Sequence, residues 1–267
     1  MTKRGVPAVR QMPYAAPIRS TIDLDRPIAA SPLISCIMAS RGFAFPARHA
    51  IECFRRQTYQ NRELIIVSAV VDCEVKAMIA GLRDSRIRFL EAPMAETVGD
   101  LRNAGIAQAT GELVCVWDDD DLSHPERLRW QLAALKQAGG DACFLSRLLL
   151  WWPARASLAV SGSWTWENTM LAKKSFLPPY PSVHRGGDTL LVRALRKSSY
   201  VVLMEHPLAY CYIRHGSNLW GDDHFGRLFR TSLRVADGDN YQREIGLLSR
   251  CMPTAAYSDD LALDTLA

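Results

Sequence analysis

An apolar run that stops at four consecutive carboxylates, LVCVWDDDD from Leu113 to Asp121, constrains this chain more than any other stretch. Its first five residues, rich in β-branched and aromatic types, read as a strand buried on both faces, as in a parallel sheet covered by helices. The aspartates then stand at the carboxyl end of that strand, where open α/β sheets bind ligands. Carboxylates packed this closely resist simultaneous ionisation unless a cation sits among them. A hard divalent ion held through Asp118 and Asp120 answers that repulsion. A solvated acidic turn is the competing reading, because SHPERLRWQLAAL follows with Ser123 in an N-cap position and Pro125 in the first turn of a helix.

The chain before this run alternates strands and helices. Pro32 to Met38 reads as a strand, Ala47 to Arg56 as a helix and Glu63 to Val70 as a strand nearly continuous in Ile and Val. A helix from about Cys73 to Leu82, a short strand Ile87 to Leu90 and a helix Val98 to Ala109 closed by Thr110-Gly111 follow. This order predicts an α/β fold with a mostly parallel central sheet flanked by helices. ASRGFAFP, after the first strand, carries no GxGxxG, which argues against a dinucleotide site.

Composition sets the outer bounds. At 267 residues and 48% hydrophobic content, the chain can bury a substantial core. A net charge of +4 suits an anionic small ligand or peripheral association with a membrane, and falls short of a nucleic-acid-binding signature. The 7 cysteines form no CxxC pairs and read as buried free thiols in a reducing compartment. Residues 1–30, with Pro7, Pro13, Pro17 and Pro27, read as an extended tail without the apolar core of a signal peptide, and no segment is long enough to span a bilayer. The expected location is the cytoplasm, with the inner face of a membrane compatible.

Beyond the helix Pro125 to Gln137 the texture changes. Ala142 to Trp152 is an apolar run, and Trp164 and Trp166 sit in loop-like sequence where they serve either as core or as a platform for the apolar face of a sugar acceptor. HRGGDTLLVRALRK puts Asp188 at the start of a helix, as a functional carboxylate or as a cap. AYCYIRHGSNLW offers a strand ending in Arg214, His215 and Asn218.

In their order and spacing these segments resemble family-2 glycosyltransferases of the GT-A, or nucleotide-diphospho-sugar transferase, fold. PLISCIMASR resembles the opening strand, FRRQTYQNRELIIV the next helix, turn and strand, and LRNAGIAQATGELVCVWDDDDLSHPERL the donor and metal segment. GGDTLLVRAL resembles the segment that supplies the base, and YIRHGSN the segment that closes the site; the likeness runs from about Pro32 to Trp220. It implies a GT-A domain over 31–222, followed by a helical extension over 223–267. Asp118 and Asp120 become the D-x-D motif, with Asp120 and His215 on a Mn²⁺ or Mg²⁺ ion. Ser40, Arg41, Ser68, Asp72, Arg102, Asp118, Asp119 and Asp121 become contacts to a nucleotide-sugar donor, and Asp188 becomes the general base. The partners implied are that donor and a glycan or other hydroxyl acceptor.

Two departures from the family pattern stand out. Gly187 occupies a position where many members have Glu, and Ser68-Ala69 stands where a pair of carboxylates follows the second strand and reads a uridine base. Either Asp72 substitutes for them from a slightly longer loop or the backbone reads the base. The reaction implied is a metal-assisted, inverting single displacement from a UDP-sugar, with Asp188 taking the acceptor proton. The alternatives are a catalytically impaired GT-A module that binds a sugar nucleotide or glycan, a nucleotidyltransferase, for which ASRGFAFP is a poor phosphate loop, and a metal-dependent phosphohydrolase, for which no upstream ligand cluster appears.

Overall fold

The computed structural model describes residue 23 and residues 31–40, 45–70 and 73–264. The expected tail therefore lies outside the described residues except for Asp23, whose backbone exchanges two hydrogen bonds with the Gln137 side chain, at 3.2 and 2.7 Å.

The first half builds the parallel core of a sheet. Strands β1 (Ile34–Ser40), β2 (Arg62–Ser68), β3 (Ile87–Glu91) and β4 (Leu113–Val116) alternate with helices α1 (Phe45–Arg55), α2 (Cys73–Gly81) and α3 (Val98–Gln108). β1 pairs in parallel with β2 and with β4, and β2 in parallel with β3. Every residue of β4 is buried, as its unbroken apolar run requires. Gly105 lets α3 approach this sheet closely, because a Cβ there would lie 2.6 Å from Ile37 Cγ2 and 2.9 Å from Val67 Cγ2.

Two short elements follow the acidic run: β5 (Leu122–Ser123) and helix α4 (Arg127–Gln137). Helix α4 starts two residues later than Pro125, and Glu126 makes no side-chain cap. Ser123 is not a cap either, for its Oγ accepts instead from the buried Arg127 Nη1 at 3.0 Å. Arg127 also donates to Val116 O at 2.9 Å and lies against the rings of Trp117 and Tyr210. The guanidinium thus bonds β4 to β5 directly beneath the acidic run.

The apolar run Ala142 to Trp152 is two strands in two sheets, β6 (Ala142–Arg147) and β7 (Leu149–Trp152). The remaining elements are β8 (Ser157–Val160), β9 (Trp166–Lys173), α5 (Gly187–Ser198), β10 (Val201–Glu205), β11 (Tyr210–Ile213), α6 (Asp222–Arg230), β12 (Arg234–Ala236), α7 (Gly238–Leu248) and α8 (Thr254–Asp264). The main sheet has the order β10-β6-β9-β4-β1-β2-β3, in which β9 runs antiparallel to both β4 and β6 and the other pairs are parallel. A second sheet, β12-β8-β7-β11-β5, forms a floor that reaches the acidic run through β5.

Residues after 222 contribute a strand to that second sheet as well as helices. Helix α8 packs on α1, with His49 Nε2 2.8 Å from Asp260 Oδ2 and the buried ring of Tyr257 against Phe45, His49 and Trp151. Cys36, Cys53, Cys115, Cys143, Cys211 and Cys251 are free thiols, all but Cys251 buried. No helix among the described residues is long and apolar enough to cross a membrane.

Candidate active site

The acidic run is aimed by its neighbours in sequence. Trp117 is fully buried and its Nε1 donates to Ala50 O of α1 at 3.0 Å, which fixes the end of β4 and starts the turn at Asp118. Asp121 turns inward and is only 3% exposed. It accepts from the Tyr210 hydroxyl at 2.7 Å and from the Ile213 amide at 2.9 Å, and so ties the turn to β11. Asp120 points the other way, with Oδ2 3.2 Å from His215 Nε2 and 3.4 Å from Asn218 Nδ2. Asn218 also takes the His215 amide at 2.9 Å and donates to Ile213 O at 2.8 Å, which shapes the loop carrying His215. Ser40, at the end of β1, hydrogen-bonds the Asp119 carboxyl.

Asp118 faces Arg102, a buried side chain of α3. Arg102 Nη2 donates to Asp118 Oδ1 at 2.9 Å, while Nη1 donates to Asp188 Oδ1 on α5. One guanidinium therefore joins the carboxylate that follows β4 to the carboxylate at the start of a helix 86 residues away. The capping reading of Asp188 does not hold: α5 begins at Gly187 on the N-cap Gly186, without a side-chain cap, and Asp188 turns to Arg102. Its Oδ2 accepts from none of the described residues.

Burial dominates the electrostatics. It raises Asp118 to about 6 and Asp119 to about 8, each pushed further by the charge on Asp120. Arg102 and Ser40 pull them back in part. Asp121 is driven well above the carboxylate range by burial and by Asp120 and Asp118. Burial alone would weaken Arg102 as a cation, but Asp188, Tyr180 and Asp118 more than reverse this.

These groups open into a cleft of about 890 Å³ at the carboxyl end of the parallel strands. Arg102, Asp118, Asp119, Asp120, Asp188 and His215 all line it. So do Trp164, which is 64% exposed, and Trp166, which is largely buried at the start of β9. The two tryptophans thus divide between the readings left open by sequence: Trp166 is core with an edge on the cleft, and Trp164 is rim.

Ser40 and Ser68 are opposed in the β1–β2 register and buried at the strand ends, and neither is among the residues lining the cleft. Ser68 Oγ accepts from the Val70 amide at 3.2 Å. Arg41 and Asp72 lie outside the described residues.

Sequence reasoning missed four contributors. Tyr210 and Asn218 orient the aspartates, and Tyr180 stacks its ring on Arg102 at 5.3 Å. Glu167, on β9, lines the cleft with its carboxyl raised by burial and held by the Thr189 hydroxyl at 3.1 Å. No spacing signal marks them, because each reaches the site from a different element.

The donor set fits a hard divalent cation. One oxygen from each of Asp118, Asp120 and Asp121 lies within 4.8 Å of the others, and the His215 ring nitrogen adjoins Asp120. Asp121 already accepts two hydrogen bonds, which leaves Asp120, Asp118 and His215 as the side chains turned to the cleft. Neighbouring carboxyls held protonated above their usual range are the condition a bound cation relieves.

A mixed α/β sheet with an acidic turn at the end of its central strand and a cleft above it is the GT-A architecture of nucleotide-sugar transferases. Solved structures agree. S. aureus TarS 1-349 in complex with UDP-GlcNAc superposes with a TM-score of 0.59 over 74% of this chain and 64% of that chain, at 14% identity. The mannosyltransferase PcManGT from Pyrobaculum calidifontis, in complex with GDP-Man and Mn²⁺, gives a TM-score of 0.54 over 70% of this chain and 57% of its own, also at 14% identity.

Residues 46–149 match the model of glycosyl transferase family 2. Among curated relatives, the succinoglycan biosynthesis protein ExoO of Rhizobium meliloti is 30% identical over 110 residues, which are 41% of this chain and 32% of ExoO. The Escherichia coli UDP-Glc:alpha-D-GlcNAc-diphosphoundecaprenol beta-1,3-glucosyltransferase WfgD is 26% identical over 103 residues, 39% of this chain and 41% of WfgD. The matched region thus spans well under half of either relative.

Proposed function

We propose that this chain transfers a sugar from a UDP-sugar to a hydroxyl of a glycan acceptor, with inversion at the anomeric carbon and a divalent cation in the donor site, in polysaccharide biosynthesis at the cytoplasmic side of a membrane. The observation that carries this reading is the bridge made by Arg102 between Asp118 on the donor side and Asp188 on the acceptor side of one cleft. ExoO and WfgD by name belong to polysaccharide and lipid-linked glycan assembly, and WfgD by name uses UDP-Glc, which supports the donor and acceptor classes.

Asp120, with Asp118 and His215, would hold Mn²⁺ or Mg²⁺, which when bound neutralises the charge that builds on the leaving diphosphate. Arg102 contributes a second, permanent positive charge to the donor side while orienting Asp188. Asp188 lines the cleft with Oδ1 held by Arg102, and accepts the proton of the attacking hydroxyl as the bond to the anomeric carbon forms. A single displacement needs one base and no protein nucleophile. Trp164 offers the acceptor an exposed aromatic face.

The test is a thermal-shift series with UDP, GDP and dTDP, in Mn²⁺ and in chelator, followed by transfer assays with the corresponding sugar nucleotides. A metal-dependent rise in melting temperature with UDP supports the donor class, and a larger rise with GDP or dTDP would reassign it. Metal-dependent binding with no turnover across a broad donor and acceptor panel would support the impaired binding module, for which Ser68-Ala69 is the motivating feature.

A further inference from the structure

The rim of the cleft carries an exposed apolar and cationic face of which the proposed chemistry uses Trp164 alone. Trp164, Val183, Leu219 and Trp220 line the cleft mouth and are exposed, Leu219 at 49%. Arg185 lies over the Trp220 ring at 5.5 Å. The first residues of helix α5, Gly187 to Thr189, line the same cleft. The buried positions of α5 are Leu191, Val192 and Leu195, and at 100° per residue the opposite side carries Leu190, Arg193 and Lys197. All three are exposed, Leu190 at 45%. Arg196 donates to Thr165 Oγ1, which joins the end of α5 to the loop bearing Trp164. Residues 181–200 hold four Lys or Arg side chains and a single carboxylate, Asp188, which turns inward to Arg102.

We propose that this face docks on an anionic lipid bilayer, with Leu190, Leu219, Trp164 and Trp220 entering the headgroup region and Arg185, Arg193 and Lys197 pairing with lipid phosphates. Aliphatic side chains set among cations and aromatic rings are what an interfacial surface needs. A nucleic acid fits this surface less well. Leu190 and Leu219 offer no stacking face, and Asp118, Asp119, Asp120, Asp188 and Glu167 lining the cleft would repel a polyanion laid across it. A bilayer meets only the rim. Docking in this pose would turn the cleft towards the membrane, so an acceptor carried on a lipid would reach Asp188 without leaving the bilayer. That last step rests on the proposed glycosyl transfer; the docking itself does not.

The experiment is co-sedimentation of the full chain with vesicles of phosphatidylcholine, with and without one quarter phosphatidylglycerol. Binding to the anionic vesicles, weakened in 0.5 M salt, is expected. The double variant Arg193→Glu/Lys197→Glu should lower the partition coefficient by on the order of tenfold or more. Leu190→Ser should lower it in high and low salt alike.

Reversal of Arg55 and Arg56 provides a charge-matched control. Arg55 ends α1 and Arg56 follows it, where the chain has run back to the amino-terminal edge of the parallel strands, away from the cleft. Melting temperature and UDP-dependent thermal shift serve as readouts of fold and donor site in every variant. No sedimentation with anionic vesicles, or equal losses for the α5 and α1 reversals, would overturn the proposal. So would capture of single-stranded nucleic acid, but not vesicles, by the same residues. Vesicle binding without any nucleotide response would leave the docking surface intact and remove the transferase reading alone.

Discussion

The Tyr210 hydroxyl donates to Asp121 Oδ2 at 2.7 Å, and this bond fastens β11 to the acidic turn from within the core. Asp121 is therefore the carboxylate that holds the turn together, while Asp120 and Asp118 face the cleft. Tyr210→Phe keeps the ring against Arg127 and removes only the donor. The buried carboxyl is then left with the Ile213 amide alone, and the expected cost is about 1–3 kcal/mol of unfolding free energy. Urea denaturation measures it, and an unchanged midpoint would show that Asp121 finds another partner.

Asp120→Ala tests the cation site. A ligand specific for the native state and present at a hundred times its Kd stabilises by about 2.7 kcal/mol. For UDP, the part of that gain that depends on Mn²⁺ should vanish in the variant, while the part seen in chelator persists. Calorimetric titration of UDP with and without Mn²⁺ checks this, and an equal response of variant and wild type to the metal would remove Asp120 from the site.

Asp188→Asn separates base from scaffold. Asparagine retains an oxygen that can accept from Arg102, so the bridge and the fold should survive. Its amide takes no proton at neutral pH, and loss of a general base typically lowers rates by about 100- to 10,000-fold. Transfer should therefore fall in kcat with donor affinity unchanged, and near-normal kcat would assign the proton to another group, with Glu167, which also lines the cleft, as the candidate.

Arg102→Met removes the bridging charge and leaves Asp118 and Asp188 without it. Breaking a largely buried ion pair by deleting one partner is expected to cost on the order of 3 kcal/mol. Chemical denaturation of Arg102→Met beside Asp188→Asn distinguishes the bridge from the base, because only the former should lose substantial stability.

A pH dependence follows from the stacked trio His124, Trp130 and His206, with ring centroids 4.4 and 4.0 Å apart. Burial lowers His124 to about 4, with the neighbouring His206 adding to the shift, and burial lowers His206 as well. Both folded-state values lie below the ordinary histidine value of about 6.5, so the unfolded chain takes up protons first as pH falls. Their contribution is complete above about pH 6.5 and is lost between there and about pH 4. His206→Phe keeps the stacking and sacrifices no hydrogen bond at Nδ1, which has no partner among the described residues. The fall in melting temperature between pH 7.5 and 5.0 should be smaller in this variant, and an equal fall would place the acid sensitivity elsewhere.

The sequence by itself determined the parallel core and the acidic turn. Strands buried on both faces are written as unbroken apolar runs, and LVCVW followed by four aspartates can end only where the sheet meets solvent or ligand. It could not divide the run Ala142 to Trp152, because apolar periodicity does not record which of two sheets a strand joins. Nor could it assign roles within the acidic run or to Asp188. Asp121 became structural and Asp120 cleft-facing through Tyr210, Ile213, His215 and Asn218, all some ninety or more residues away. Asp188 looked equally fit to cap α5 until Arg102 of α3 was found to hold its carboxylate. Local propensity is legible because it depends on neighbours in the chain. The direction a carboxylate faces depends on partners that only the packed sheets bring within hydrogen-bond reach.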